Sequence, residues 1–128
     1  MAALSITVTD GEEEITLDAD WTDDAPETRA ALAEALPVAG EAARWGDELY
    51  VSVPVATAAE NARTVVDVGT VAYWPAGEKL CLFWGPTPAS KGEEPRAASP
   101  VNVVARVEDV SPLSTVDGGA HVRVERTE

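Results

Sequence analysis

The sequence predicts an all-β domain, an antiparallel β-barrel of about eight strands with one or two short helices, occupying residues 1–128 as a single domain. Three observations predict it. Apolar residues alternate with polar ones in short runs that recur at roughly 8–12-residue spacing. Gly and Pro turn signals separate the runs. Only the segment from Asp24 to Pro37 carries a helical start, an apolar stripe and a stop.

Leu4, Ile6 and Val8 alternate with Ser5, Thr7 and Thr9 as a half-buried strand, and Asp10-Gly11 signals a hairpin into Ile15, Leu17 and Ala19. The Glu12-Glu13-Glu14 run reads as a solvated face. Asp18, Asp20 and Asp23 do not make a calcium loop: the sixth position would be Asp23 where Gly is needed, and the twelfth Arg29 where a bidentate Glu belongs. Asp24-Ala-Pro-Glu27 has capping spacing for a helix, Ala31, Leu32, Ala35 and Leu36 form its apolar stripe, and Pro37 ends it. Leu49, Val51 and Val53 alternate with Tyr50 and Ser52, with Pro54 at the strand end. Ala56 to Arg63 is a polar connection. Val65–Val68, Thr70–Trp74 and Lys79–Trp84 are three further strands, the last apolar on both faces and therefore central. Gly85 to Ser99 is a long Pro-rich loop, of the length that in a small domain is functional or disordered. Val101, Val103, Ala105 and Val107 alternate along a long strand, Ser111 to Gly119 is a second loop, and Val122 and Val124 mark the last strand.

Composition excludes several functions. The formal net charge is -14, a sign that opposes binding to nucleic acid or anionic lipid. No apolar run reaches the roughly 20 residues of a membrane span, and Met1-Ala-Ala-Leu lacks the features of a signal peptide. Cys81 is the only cysteine and lies in an apolar run, where it reads as a small core residue; with no disulfide possible, a cytoplasmic location is expected. Strong acidity with only Lys79 and Lys91 as lysines resembles the proteins of salt-accumulating archaea and implies a halophilic origin. The charge is uneven: residues 1–68 carry 15 acids and 3 bases, residues 69–128 carry 8 acids and 6 bases, and the second half also holds most of the aromatics.

Tyr73-Trp-Pro-Ala-Gly77, then Leu80-Cys-Leu-Phe-Trp-Gly-Pro-Thr-Pro88, then Ala98-Ser-Pro-Val-Asn102 resembles the stand-alone prokaryotic cyclophilin-like proteins. The likeness covers mainly residues 60–107. It implies a cyclophilin-like barrel, in agreement with the strand pattern, without implying a reaction. Peptidyl-prolyl isomerisation is raised by the resemblance, yet the Phe-His-Arg and Gln-Gly-Gly-Asp-Phe motifs of classical cyclophilins are missing, and the chain has no glutamine.

Catalytic constellations are few. His121, the one imidazole, falls on the polar face of the last strand; there is no Gly-x-Ser-x-Gly elbow and no His-x-x-His spacing. Gly85-Pro-Thr-Pro lacks the backbone donors of a phosphate loop. No cofactor, metal or catalytic residue is predicted. The expectation is an aromatic cleft that binds a small molecule or an extended peptide. Its candidate walls are Tyr73, Trp74, Phe83 and Trp84, and its candidate polar anchors Glu60, Asn61, Arg96 and Asn102. Alternation puts the members of each aromatic pair on opposite faces, Arg96 has Glu93 and Glu94 as rival partners, and Asn102 could cap the turn after Pro100. A weak or degenerate prolyl isomerase and an interaction subunit of a larger assembly are the alternatives.

Overall fold

The computed structural model describes residues 3–116 and 120–127; the loop expected to run on to Gly119 lies outside these at residues 117–119, as does the start at Met1-Ala2. Strands β1 (Leu4–Asp10) and β2 (Glu13–Trp21) form the expected hairpin, and α1 spans Pro26–Ala35. After it come β3 (Val38–Glu41), β4 (Ala43–Arg44), β5 (Glu48–Ser52), β6 (Arg63–Val65), β7 (Thr70–Trp74) and β8 (Lys79–Phe83). The long β9 (Arg96–Val107), a 3-10 turn (Ser111–Thr115) and β10 (His121–Arg126) complete the order.

All these strands belong to one antiparallel network of ten, ordered β3-β10-β1-β2-β9-β7-β8-β5-β4, with β6 pairing β9 off this path. Two expectations are corrected here. The strands number ten rather than about eight, because β3 and β4 are too short to show alternation. The sheet also does not close into a barrel: among the described residues no ladder joins β3 to β4 or β5. The curled ends are nonetheless neighbours. The chain passes from β3 to β4 through buried Ala42, whose N–H donates to Ala120 O at 2.7 Å, and a Cβ on Gly40 would stand 3.1 Å from Val51 Cγ2. Four-residue β3 and two-residue β4 offer too little backbone to complete the ladder.

The inner face of the curled sheet holds the main core, including Leu4, Ile6, Leu17, Leu32, Leu49, Val71, Tyr73, Leu80, Leu82 and Val104. A second cluster lies on the outer face: Val66, Ala72, Cys81, Phe83, Ala97, Val101 and Val103, with Tyr50 and Trp74 packed against it. Strand β8 is therefore buried on both sides, as its unbroken apolar run requires. Strand β9 serves both cores by a device the alternation conceals. Its register against β7 shifts between Val71↔Ala105 and Ala72↔Val103. A bulge of this kind lets Val101 and Val103 face outward while Val104, Ala105 and Val107 face inward. The strand expected at 65–68 starts earlier, at Arg63, leaving Val66 buried and Val65 and Val68 exposed.

Candidate functional site

Three of the polar candidates hold the helix rather than open a site. The N-cap of α1 is Ala25, which has no side-chain acceptor, so Asp24 does not cap as its spacing suggests. Glu60 reaches across instead: its carboxylate accepts from Glu27 N at 3.1 Å and from Thr28 N and Thr28 Oγ1 at 2.9 Å each. Burial pushes the Glu60 carboxyl up, but these donors at the positive helix end outweigh it and hold the group below the ordinary carboxylate range. Asn102, fully buried, accepts from Glu60 N at 2.8 Å and donates to Thr28 Oγ1 and Ala58 O at 3.0 Å each. Asn61, at φ 48, donates to Asp24 O at 2.6 Å. The tie clamps residues 58–61 to α1 and β9, and the Glu60 carboxylate and Asn102 amide are already partnered.

The open space lies on the outer face. Trp45, Glu48, Tyr50, Trp74, Cys81, Ala97, Ala98, Ser99 and Val101 enclose a cavity of about 280 Å³. The ladders assemble it: β5 pairs β8 with Tyr50↔Cys81 and Glu48↔Phe83, and β7 pairs β8 with Ala72↔Cys81 and Trp74↔Lys79. Alternate residues of these strands thus share one face, and the first residues of β9 form the rim.

Each wall is anchored. The Trp74 ring rests on the Pro75-Ala-Gly77 turn: a Cβ on Gly77 would stand 2.5 Å from Cε3 and 2.6 Å from Cζ3, so only glycine lets the indole lie there. The Trp74 indole N–H is buried without a hydrogen-bond acceptor among the described residues. Trp45 opens a tight turn into β5. Gly46 turns at φ +64, and a Cβ there would strike Thr87 Cα at 2.7 Å. Arg44 locks the turn by donating to Gly46 O at 2.8 Å, pairing with Asp47 at 3.0 Å and donating to Val116 O. The Pro-rich loop backs it, with Asp47 N donating to Pro86 O at 2.9 Å. That loop is ordered: Thr87 donates to Arg96 O and Ser90 to Glu94 O. Glu94 accepts from Lys91 N at 2.9 Å, Gly92 N at 2.8 Å and Arg96 Nε at 3.1 Å. The backbone donor of Lys91, with help from Arg96, holds the Glu94 carboxyl down at about 2.

Glu48 is the chemically unusual group. Its residue is only 5 % exposed, and no ion pair reaches it among the described residues. Burial lifts its carboxyl to about 7, against a smaller opposing effect of the Cys81 thiol that donates to it. The Cys81 thiol is pushed well up in turn, first by burial and then by the neighbouring Glu48, which makes it a poor nucleophile at neutral pH. Lys79, on the same face of β8, gives its ammonium to Ser52 Oγ at 2.6 Å.

The structure does not bring the sequence candidates together. Trp74 lines the cavity. Phe83 lies fully buried in the outer cluster, and Tyr73 points the other way into the main core with its hydroxyl on Val55 O. Trp84 packs against the main core with the Arg44 guanidinium 5.3 Å above its ring, and Arg96 pairs with Glu94. Sequence reasoning missed Trp45, Glu48 and Tyr50. A signal for them existed: if β8 is buried on both faces, the outward residues of the strand beside it are covered too.

The fold has relatives. The solution structure of a hypothetical protein from Archaeoglobus fulgidus superposes with a TM-score of 0.72 at 38 % identity, over 98 % of this chain and 96 % of that one. McbB, solved in complex with tryptophan, superposes with a TM-score of 0.71 at 19 % identity, over 95 % of this chain; this chain spans 44 % of McbB, and the likeness is one of fold. No curated protein matches the chain. No helix among the described residues is long and apolar enough to cross a membrane. The family model described as cyclophilin-like runs over residues 3–125, nearly the length of the alternating strands and both cores, and the chain belongs to that family.

Proposed function

We propose that this protein binds a small molecule in the outer aromatic cavity and performs no chemistry on it through a side-chain nucleophile. The observation that carries the reading is the cavity itself: about 280 Å³ walled by Trp45, Tyr50 and Trp74, with one buried carboxyl at its floor. Ligand sites are concave, mostly apolar and furnished with a few convergent polar groups, and a volume of about 280 Å³ lies just under their usual range of roughly 300–1,000 Å³. Such a space suits a metabolite better than an extended peptide. McbB, of which this chain spans 44 %, was solved in complex with tryptophan, a ligand of comparable size. The acidic surface and the cavity's lack of basic lining argue against nucleotides and nucleic acid. A halophilic, cytoplasmic setting is part of the same proposal and rests on composition.

The test is a screen of small amines, amino acids and aromatic metabolites by tryptophan fluorescence and thermal shift, repeated with Trp74→Ala and Tyr50→Ala. Compounds that saturate the parent protein and lose affinity in both variants support the reading. Compounds that bind the variants as tightly as the parent, or a screen with no saturable binder, refute it.

A further inference from the structure

Glu48 and the tryptophans narrow the ligand further, on the assumption that the cavity is a binding site. The chain has four tryptophans, and two of them already carry an internal cation. The Arg29 guanidinium lies 5.4 Å from the Trp21 ring centroid, and Arg44 lies 5.3 Å from that of Trp84. Trp45 and Trp74, the two that line the cavity, have no such partner among the described residues. Aromatic faces attract cations through the ring quadrupole, and the attraction grows where water is excluded.

The charge of the lining has one sign. None of the nine residues is basic, and Glu48 is the one acid, 5 % exposed and without an ion-pair partner among the described residues. Removing a carboxylate from water without a counter-charge is costly, and a cation seated beside Glu48 would offset that cost. The bases that flank the lining along its strands are occupied: Arg44 with Gly46 O, Asp47 and Trp84, Lys79 with Ser52, and Arg96 with Glu94. The net charge of -14 gives the approach to the cavity a field that draws cations and repels anions.

We infer that the cavity is a site for a small organic cation, a methylated or quaternary ammonium compound held over the faces of Trp45, Tyr50 and Trp74 with its charge set against Glu48. Three aromatic walls and one carboxylate leave the ammonium methyl groups in apolar contact, and no donor is needed on the cation itself. A primary ammonium, which carries three N–H groups needing acceptors, fits less well because the lining's side-chain oxygens are confined to Glu48, Tyr50 and Ser99.

Isothermal titration of the full chain at pH 8 with tetramethylammonium, choline and the neutral isostere 3,3-dimethylbutan-1-ol tests this directly. Saturable binding of both cations is expected, with the isostere weaker by about tenfold or more. Glu48→Gln is expected to weaken choline about tenfold while leaving the isostere unchanged. Trp74→Ala, which removes one aromatic wall, is expected to weaken tetramethylammonium and choline alike. Equal affinity for choline and the isostere, or cation binding insensitive to Glu48→Gln, overturns the inference. Failure of this inference alone is recognisable: neutral compounds would bind the cavity and lose affinity in Trp74→Ala, whereas failure of the proposed function leaves the cavity empty of every class.

Discussion

Replacing Glu48 by Gln is expected to stabilise the protein at alkaline pH, against the usual outcome of changing a buried polar residue. The unfolded chain ionises Glu48 near the ordinary 4.5, whereas burial in the fold raises it to about 7. Between these values the native state keeps a proton that the unfolded state has lost, so stability falls as pH rises through that window. Above about pH 7 the fold carries the whole cost of a buried charge, which at about 1.4 kcal/mol per pH unit amounts to about 3 kcal/mol. Below about 4.5 both states are protonated and the cost vanishes. Glutamine is neutral throughout. The stability difference between Glu48→Gln and the parent is therefore expected to grow from about 1 kcal/mol or less at pH 5 to about 3 kcal/mol at pH 8.5. Urea unfolding followed by circular dichroism at pH 5, 7 and 8.5, in constant molar KCl, measures it, and the pH responses of other groups cancel in the difference. The buried amide adds a constant offset, so the slope is the diagnostic. A difference that stays flat across this range, or one that shrinks with rising pH, refutes the burial account of Glu48.

Asn102→Ala removes an amide that makes three hydrogen bonds at a fully buried position and strands Glu60 N and Ala58 O; a loss of about 2–4 kcal/mol in urea unfolding is expected, and a loss under about 1 kcal/mol would remove the tie's importance. Gly77→Ala puts a methyl group where the Trp74 ring lies, so the indole must move: near-ultraviolet dichroism and ligand affinity are expected to change together, with far-ultraviolet dichroism unchanged. An unaltered Trp74 signal would mean that the turn does not set the ring. Molar KCl shortens the Debye length to about 3 Å and screens the self-repulsion of a chain with net charge -14, so the melting temperature is expected to rise from dilute buffer to molar salt. Equal melting temperatures in the two would remove the halophilic reading.

How far the sequence carried the fold depended on whether each residue's partner was local. The hairpin of β1 and β2 and the double burial of β8 were readable because alternation and an unbroken apolar run are local signals. Strands β3 and β4 were not, because stretches of two to four residues are too short to show alternation, and β3 takes its pairing from β10, distant in the chain. The helix cap was misread for the same reason: Asp24 has the right spacing, but Glu60, more than thirty residues on, occupies the site. At the candidate site, Trp74 stood out as an aromatic beside a Pro-x-Gly turn. Glu48 did not, since a charged residue at a strand start reads as solvated until the outer face is known to be covered. The bulge in β9 hid the rest by dividing one alternating run between two cores.

The measurement that bears most directly on the central claim is a titration of 15N-labelled protein with choline at pH 8, following the four indole N–H resonances. The account predicts saturable shifts at Trp45 and Trp74, which line the cavity, with Trp21 and Trp84 unmoved beneath their arginines. Shifts confined to Trp21 or Trp84, or no saturable shift at any indole, would contradict it.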